Sequence, residues 1–440
     1  MGSGLLLKSK RLILLGGLSA LFLFIYTFSP ISFKPYGRDS LIQSRVRSGC
    51  TPDDWANGQW VPRKLPTDKT AMTHPEDVLD FTGFESCASS REFFIHLAAN
   101  DPNQWDRFPN VTSWQWQPAD SCNIRALHPE ELVRDMVEKG GWLLVGDSVT
   151  EQQFFSLSCV LYPHVRAIPD YEHAHFDRAY PQNLLLNPDS PLVTKLKLPP
   201  GFNLSSTPLV TYRRVDLMLS KDELLTLHSE LYHPPHTFSL FSQQSVWTMS
   251  PHQYMDIFQS PLPEGNYGTL VINTAGHWVI DLFHGFRNHT KSIDEGSGID
   301  QLLPFFREAM TRWADVVQSR LKSDIGTVGG RSRQVVVRAY NPGHPDCHSV
   351  RHPWKEWKPY TRTFWNWPWI GEFNDIFQDV LSSSSYPDIH FLAIDKPGRL
   401  RPDAHVTGDC LHIMAGAGII EGWTQYIWHY ITREIPGIMR

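Results

Sequence analysis

A chain of 440 residues that is 41% hydrophobic, 12% aromatic and 20% charged can bury a large core, which excludes a disordered or collagen-like polymer. Forty basic residues against 46 acidic ones leave a formal net charge of −6, and no Lys/Arg-rich run overrides it, so no nucleic-acid partner is expected. The motifs G-x-x-x-x-G-K-S/T, strand-linked G-x-G-x-x-G and H-E-x-x-H are absent, which argues against nucleotide, dinucleotide and zinc chemistry; neither a bound cofactor nor a metal is expected.

In chain order, residues 1–11 carry Lys8, Lys10 and Arg11 and read as a cytosolic tail. Residues 12–33 hold no charge and are long enough for a transmembrane anchor; a cleaved signal peptide is the alternative, although no small-x-small site follows Tyr26. Residues 34–48 form a short stem. Beyond it, Asn110, Asn203 and Asn288 head glycosylation sequons. Six cysteines (Cys50, Cys87, Cys122, Cys159, Cys347, Cys410) lie far apart with no C-x-x-C, a pattern suited to disulfides in an oxidising lumen, with their pairing left open.

Residues 49–135, with three of the cysteines, read as an irregular appendage, and 136–440 as the main domain. The apolar runs 142–145, 269–272, 335–338 and 389–394 predict buried strands. Leu303, Phe306, Met310, Trp313, Val317 and Leu321 predict a helix, as do Ile419, Trp423, Tyr426, Ile427 and Tyr430. Alternation of the two implies an α/β fold, a parallel sheet with helices on both faces and ligands at the carboxyl ends of its strands.

The strand ending in Gly146-Asp147-Ser148 runs into a helical pattern, presenting Ser148 at a helix N-terminus where free N–H groups stabilise an oxyanion. Gly-Asp-Ser alone equally suits a helix cap. A serine nucleophile needs a histidine base oriented by a carboxylate, and Asp409 and His412, three apart, supply that pair; Asp403 and His405 are a rival pair better suited to fixing a loop. Asn273, leaving a buried strand, would offer an amide N–H to the oxyanion beside the Ser148 backbone N–H, or would simply form a turn.

These pieces, in this order, resemble the SGNH hydrolase fold, which is flavodoxin-like, and within it the PC-esterase family of trichome-birefringence-like polysaccharide O-acetyltransferases and their fungal relatives. Gly146-Asp147-Ser148 with Gln153 is similar to the family's GDS block, Asn273 to Trp278 to its N-T-G-H-W block, and Asp409-Cys410-Leu411-His412 to its D-C-x-H block. Cys50 with Gly58 to Val61, and Trp114 to Pro118 ending at Cys122, resemble the cysteine-containing segment that precedes that domain. The resemblance implies Ser148 as nucleophile, His412 as base, Asp409 as its partner, Asn273 and Ser148 as the oxyanion hole, and a Cys347–Cys410 disulfide. Departures are Glu151 in place of arginine, the added Ala275, and Ile413-Met414 in place of Trp-Cys.

The implied function is a Golgi-membrane, single-pass type II glycoprotein that O-acetylates a glycan or cell-wall polysaccharide. Ser148 would take an acetyl group from acetyl-CoA or another acetyl ester, with a separate membrane protein as a candidate donor-supplying partner, and pass it to a sugar hydroxyl. Alternatives are a carbohydrate acetylesterase with the same triad and a catalytically idle glycan-binding protein. Arg214, His277 and Trp278 are candidate substrate-binding residues, with an Arg214–Asp216 ion pair the competing use of the arginine. The aromatic cluster Trp354, Trp357, Tyr360, Trp365, Trp367 and Trp369 reads mostly as packing, with one or two rings left to meet a glycan. His173, His175 and Asp177 alternate as metal ligands would, but an exposed polar face is the stronger reading.

Overall fold

Two short strands, β1 (Gln59–Pro62) and β2 (Trp114–Gln117), pair antiparallel; every other strand among the described residues belongs to one seven-stranded sheet. The computed structural model describes residues 49–169 and 181–438 apart from 325, 327, 331, 361 and 362. The expected anchor at 12–33 and the set His173, His175 and Asp177 lie outside the described residues. No helix among the described residues is long and apolar enough to cross a membrane.

The sheet strands are β3 (Gly141–Gly146), β4 (Val165–Ile168), β5 (Gln182–Leu186), β6 (Pro208–Arg214), β7 (Tyr267–Asn273), β8 (Gln334–Arg338) and β9 (Ile389–Leu392). Their spatial order is β4-β5-β6-β3-β7-β8-β9. From β6 to β9 all pairings are parallel, while β5 pairs antiparallel with β4 and β6. The four expected strands all form. β3 is buried along its whole length, as a central parallel strand covered on both faces must be, which is why its sequence is apolar without alternation.

Seven helices of eight or more residues are described: α1 (Pro129–Glu138), α2 (Ser148–Val160), α3 (Lys221–Tyr232), α4 (Pro251–Phe258), α5 (Ile299–Ser323), α6 (Ile370–Leu381) and α7 (Ile419–His429). α5 buries Phe306, Met310, Trp313, Val317 and Leu321 at three- and four-residue steps and packs on α3, α4 and α6; α7 packs on α2. Each large apolar side chain so buried contributes roughly 1.5–3 kcal/mol relative to exposure.

Residues 49–135 are tied to this core rather than set apart, and Gly49 onward forms one unit. Disulfides join Cys50 to Cys122 and Cys87 to Cys159, the second reaching α2. Trp55 packs on Tyr426 of α7 at 5.2 Å between ring centroids, and the Trp60 indole donates to the Pro397 carbonyl.

Taking the parallel strands across the sheet, β6, β3, β7, β8 and β9 are second, first, third, fourth and fifth in chain order. In such a sheet the crevice for ligands opens beyond the carboxyl ends where the winding reverses, here between β3 and β7.

Candidate active site

β3 ends at Gly146, and a side chain there is sterically barred: a Cβ would lie 2.2 Å from Thr150 Oγ1 and 2.8 Å from the Asn273 carbonyl oxygen. The chain can therefore turn tightly into α2. Asp147 caps that helix, its Oδ1 accepting from the Val149 N–H at 3.0 Å and its Oδ2 from the Tyr340 hydroxyl at 2.8 Å. Tyr212 donates to the Asp147 carbonyl at 3.0 Å. Ser148 follows as the first helical residue, half-buried, with its side chain in a cavity of about 930 Å³.

His412 Nε2 stands 2.7 Å from Ser148 Oγ, and its Nδ1 2.6 Å from Asp409 Oδ2. Asp409 Oδ1 accepts the backbone N–H groups of Leu411 and His412, both at 2.8 Å, so the three-residue spacing closes a turn that fixes the carboxylate. With Nδ1–H donated to Asp409, Nε2 presents a lone pair to the Ser148 hydroxyl. Burial works to lower the His412 pKa, but the Asp409 hydrogen bond and charge outweigh it and the net shift is upward. Burial likewise opposes ionisation of Asp409, yet His412 and the two N–H donors hold its pKa below the ordinary carboxylate value.

The loop carrying His412 is held from several sides. Its carbonyl accepts from Val406 N–H and faces His405 Nδ1, each at 3.0 Å. Gln152 of α2 accepts the Ile413 N–H at 2.9 Å, linking the helix of Ser148 to the loop of His412. Cys347 and Cys410 form a disulfide, the pair that the resemblance implies. The rival pair is spent on structure: Asp403 takes two hydrogen bonds from buried Arg401, and His405, fully buried, contacts His344 at 2.7 Å behind the loop. Burial lowers the pKa of both histidines, that of His344 to about 4.

Two expected residues are elsewhere. Asn273 is fully buried, and its Nδ2 donates to the Arg338 carbonyl at 2.9 Å. The amide is held by the end of the neighbouring strand β8, and the side chain does not line the cavity. Gly276, three residues on, reaches the cavity instead, and its N–H and that of Ser148 make no hydrogen bond among the described residues. Trp278 is also fully buried, stacked on Phe283 at 4.7 Å with its indole N–H on Thr274, so it belongs to the core and does not touch a ligand.

Arg214 and His277 do line the cavity. Arg214, at the end of β6, gives its Nε to Asp216 at 3.2 Å and lies over the Trp247 ring at 4.0 Å. The expected ion pair therefore exists and orients the guanidinium without removing it from the cavity. His277 Nε2 is 3.7 Å from the same carboxylate.

Sequence reasoning missed Arg91 and His96. Arg91 Nε lies 3.2 Å from Glu151 on α2, so the cavity wall pairs a cation from residues 49–135 with the unexpected acid. Gln182 donates to that acid as well, at 2.5 Å. His96 stacks on Phe155 at 4.4 Å, and burial first, then the nearby charges of His412 and Arg91, press its pKa down to about 3. Nothing in the local sequence of either residue signals the pairing, which arises only when the two segments fold together.

Among the described residues, one His/Cys/Asp/Glu cluster has metal-like spacing, Cys347, His348 and Cys410, and its two sulfurs are joined to each other. Of the sequons, Asn203 is exposed and Asn288 half-buried, while Asn110 donates to the Arg351 carbonyl and faces His352. No protein-family model and no curated protein matches the chain.

Proposed function

We propose that this protein is a lumenal O-acetyltransferase that acylates hydroxyls of a glycan or cell-wall polysaccharide through an acetyl-serine at Ser148. The observation that carries the reading is the unbroken chain Ser148 Oγ, His412 Nε2, His412 Nδ1, Asp409 Oδ2, at 2.7 and 2.6 Å, beyond the carboxyl end of β3. Triad geometry of this kind is defined by roles and distances rather than by sequence position. The 2-1-3-4-5 strand order is that of flavodoxin-like sheets and supports the SGNH assignment, as do the three motif blocks and the Cys347–Cys410 bridge.

In the first half-reaction, Ser148 Oγ attacks the acyl carbonyl of acetyl-CoA or another acetyl ester while its proton passes to His412 Nε2. The oxyanion is met by the N–H groups of Ser148 and Gly276, with Arg214 as the nearby fixed cation. Collapse returns the proton to the leaving group and leaves acetyl on Ser148. In the second, His412 removes a proton from a sugar hydroxyl, whose oxygen takes the acetyl group and frees Ser148. Six cysteines in three disulfides, none free, support an oxidising compartment, and with the uncharged apolar run at 12–33 and the sequons they favour a Golgi-membrane, type II glycoprotein.

A specific observation favours a second reading. Asp409 is 44% and His412 28% exposed at the mouth of the cavity, so water reaches the acetyl-serine unless bound substrate covers it. The same residues would then make a carbohydrate acetylesterase. Intact mass spectrometry with p-nitrophenyl acetate decides the matter: an acetyl adduct on Ser148, absent in Ser148→Ala, is expected. Discharge onto added oligosaccharide establishes transfer, equal discharge to water with or without sugar establishes the esterase, and no adduct overturns both.

A further inference from the structure

The rim of the cavity carries a concentration of backbone strain. Of the seven non-glycine residues with positive φ among the described residues, three line this one cavity: Glu92 at 47°, Asp346 at 60° and Trp365 at 51°. L-residues avoid this region because Cβ crowds the backbone, and a bulky side chain does so most strongly. Such conformations persist where the surroundings enforce them, and they gather at ligand sites.

The segment bearing Trp365 is held on both sides. Phe364 packs on Trp367 at 4.7 Å between ring centroids, and Trp367 is accepted because residue 343 is glycine, where a Cβ would lie 2.4 Å from the indole. Asn366 is buried, its amide donating to the carbonyls of Ala275 at 2.9 Å and Trp278 at 3.0 Å. Between these anchors the Trp365 ring is left 52% exposed and Phe364 44% exposed, both facing the cavity that holds Ser148. The neighbouring tryptophan is buried, so packing is satisfied without Trp365.

We propose that this rim is a saccharide subsite, with a pyranose ring lying on Trp365 beside Phe364 and its hydroxyls reaching the polar groups of the wall. A pyranose has a C–H face for an aromatic ring and an equatorial belt of hydroxyls for polar partners. A cavity of about 930 Å³ is at the upper end for a small-molecule site and exceeds the needs of an acetyl group, leaving room for the sugar that bears or receives it. The wall carries both signs, Glu92, Asp346 and Asp409 against Arg91 and Arg214, so stacking on Trp365 rather than net charge holds the sugar. The inference rests on the saccharide-ester reading given above and specifies which part of the cavity meets the sugar.

The test is calorimetric binding of xylohexaose, mannohexaose and hexagalacturonate to the full-length chain carrying Ser148→Ala, so that acyl chemistry plays no part. At least one of the three hexasaccharides is expected to bind, and Trp365→Asn to weaken it at least about tenfold, equivalent to about 1.4 kcal/mol. Asparagine tolerates the left-handed conformation, so the melting temperature should hold or rise while binding is lost. Trp365→Phe, which keeps a ring, should recover part of the affinity. The proposal is overturned if none of the three sugars binds, if Trp365→Asn binds within twofold of its parent, or if the variant's melting temperature drops as a packing residue's would. An acetyl adduct on Ser148 without sugar binding would spare the acyl chemistry and sink only the subsite, whereas sugar binding without an adduct would do the reverse.

Discussion

β3 and β7 are neighbours in the sheet, run parallel, and each sends a polar residue toward the same edge, yet the two side chains meet different fates. Gly146 and Asn273 are register partners. From β3 the chain goes on two residues beyond its partner before Ser148, by which point a helix has begun and the side chain stands clear of the sheet. Asn273 is still in the strand, beside the end of β8, where the Arg338 carbonyl is close enough to take its amide. What decides whether a strand-end polar residue serves chemistry or structure is thus its reach past the last ladder bond. A carbonyl left unpaired by a neighbouring strand captures whatever donor stops short.

The sharpest way to break this comparison is at Ser148. Ser148→Ala should abolish the acetyl adduct and lower turnover of p-nitrophenyl acetate by at least about 10³-fold. Its melting temperature should scarcely move, because the helix cap is made by Asp147 and not by Ser148. Asp409→Asn comes next, since the amide leaves His412 in the wrong tautomer; a loss of about 10³- to 10⁴-fold in kcat is expected at neutral pH.

Asn273→Ala should act on the other quantity. It strands a buried carbonyl, at a cost of about 1–3 kcal/mol in stability measured by urea unfolding. Its kcat should fall by much less than the roughly 10²- to 10³-fold that follows loss of an oxyanion donor. A variant with unchanged stability and a hundredfold lower kcat would return Asn273 to the site and undo the contrast.

The same contrast explains what could be read in the sequence. β3, β7, β8 and β9 were legible because strands buried on both faces are apolar without interruption, and α5 and α7 because their buried faces recur at helical spacing. The 2-1-3-4-5 order was not, in part because β6 hides as Pro-Leu-Val-Thr-Tyr-Arg-Arg, a central strand in which several polar side chains are paired sideways. Thr211 bonds Asn183 and Tyr267, and Arg214 pairs with Asp216. Ser148, Asp409 and His412 were legible because short spacings encode their geometry locally. Trp278 and Arg91 were not: burial of the first and the pairing of the second depend on segments far apart in the chain.

The smallest effect concerns pH, and it separates the chemistry of the His412 loop from its stability. To accept the Ser148 proton, His412 must be neutral, and its pKa lies above the ordinary 6.5. The acid limb of kcat/KM should therefore fall above that value, with the rate dropping about tenfold per pH unit below it and levelling above. Stability runs the other way. The contribution of His412 is complete below 6.5 and is lost as pH rises through its folded value, while that of Asp409 is present above 3.8 and is lost as acid protonates it. The difference in melting temperature between the wild-type chain and Asp409→Asn should thus be greatest near pH 5 and shrink by pH 8, and it should be modest because both side chains are partly exposed to screening solvent. A difference that instead grows between pH 5 and 8 would mean that His412 is not held above its ordinary pKa, and the acid limb of the rate should then move down with it. The pair is strongest where the base is charged and idle, so its hydrogen bonds keep His412 oriented at the higher pH where it works.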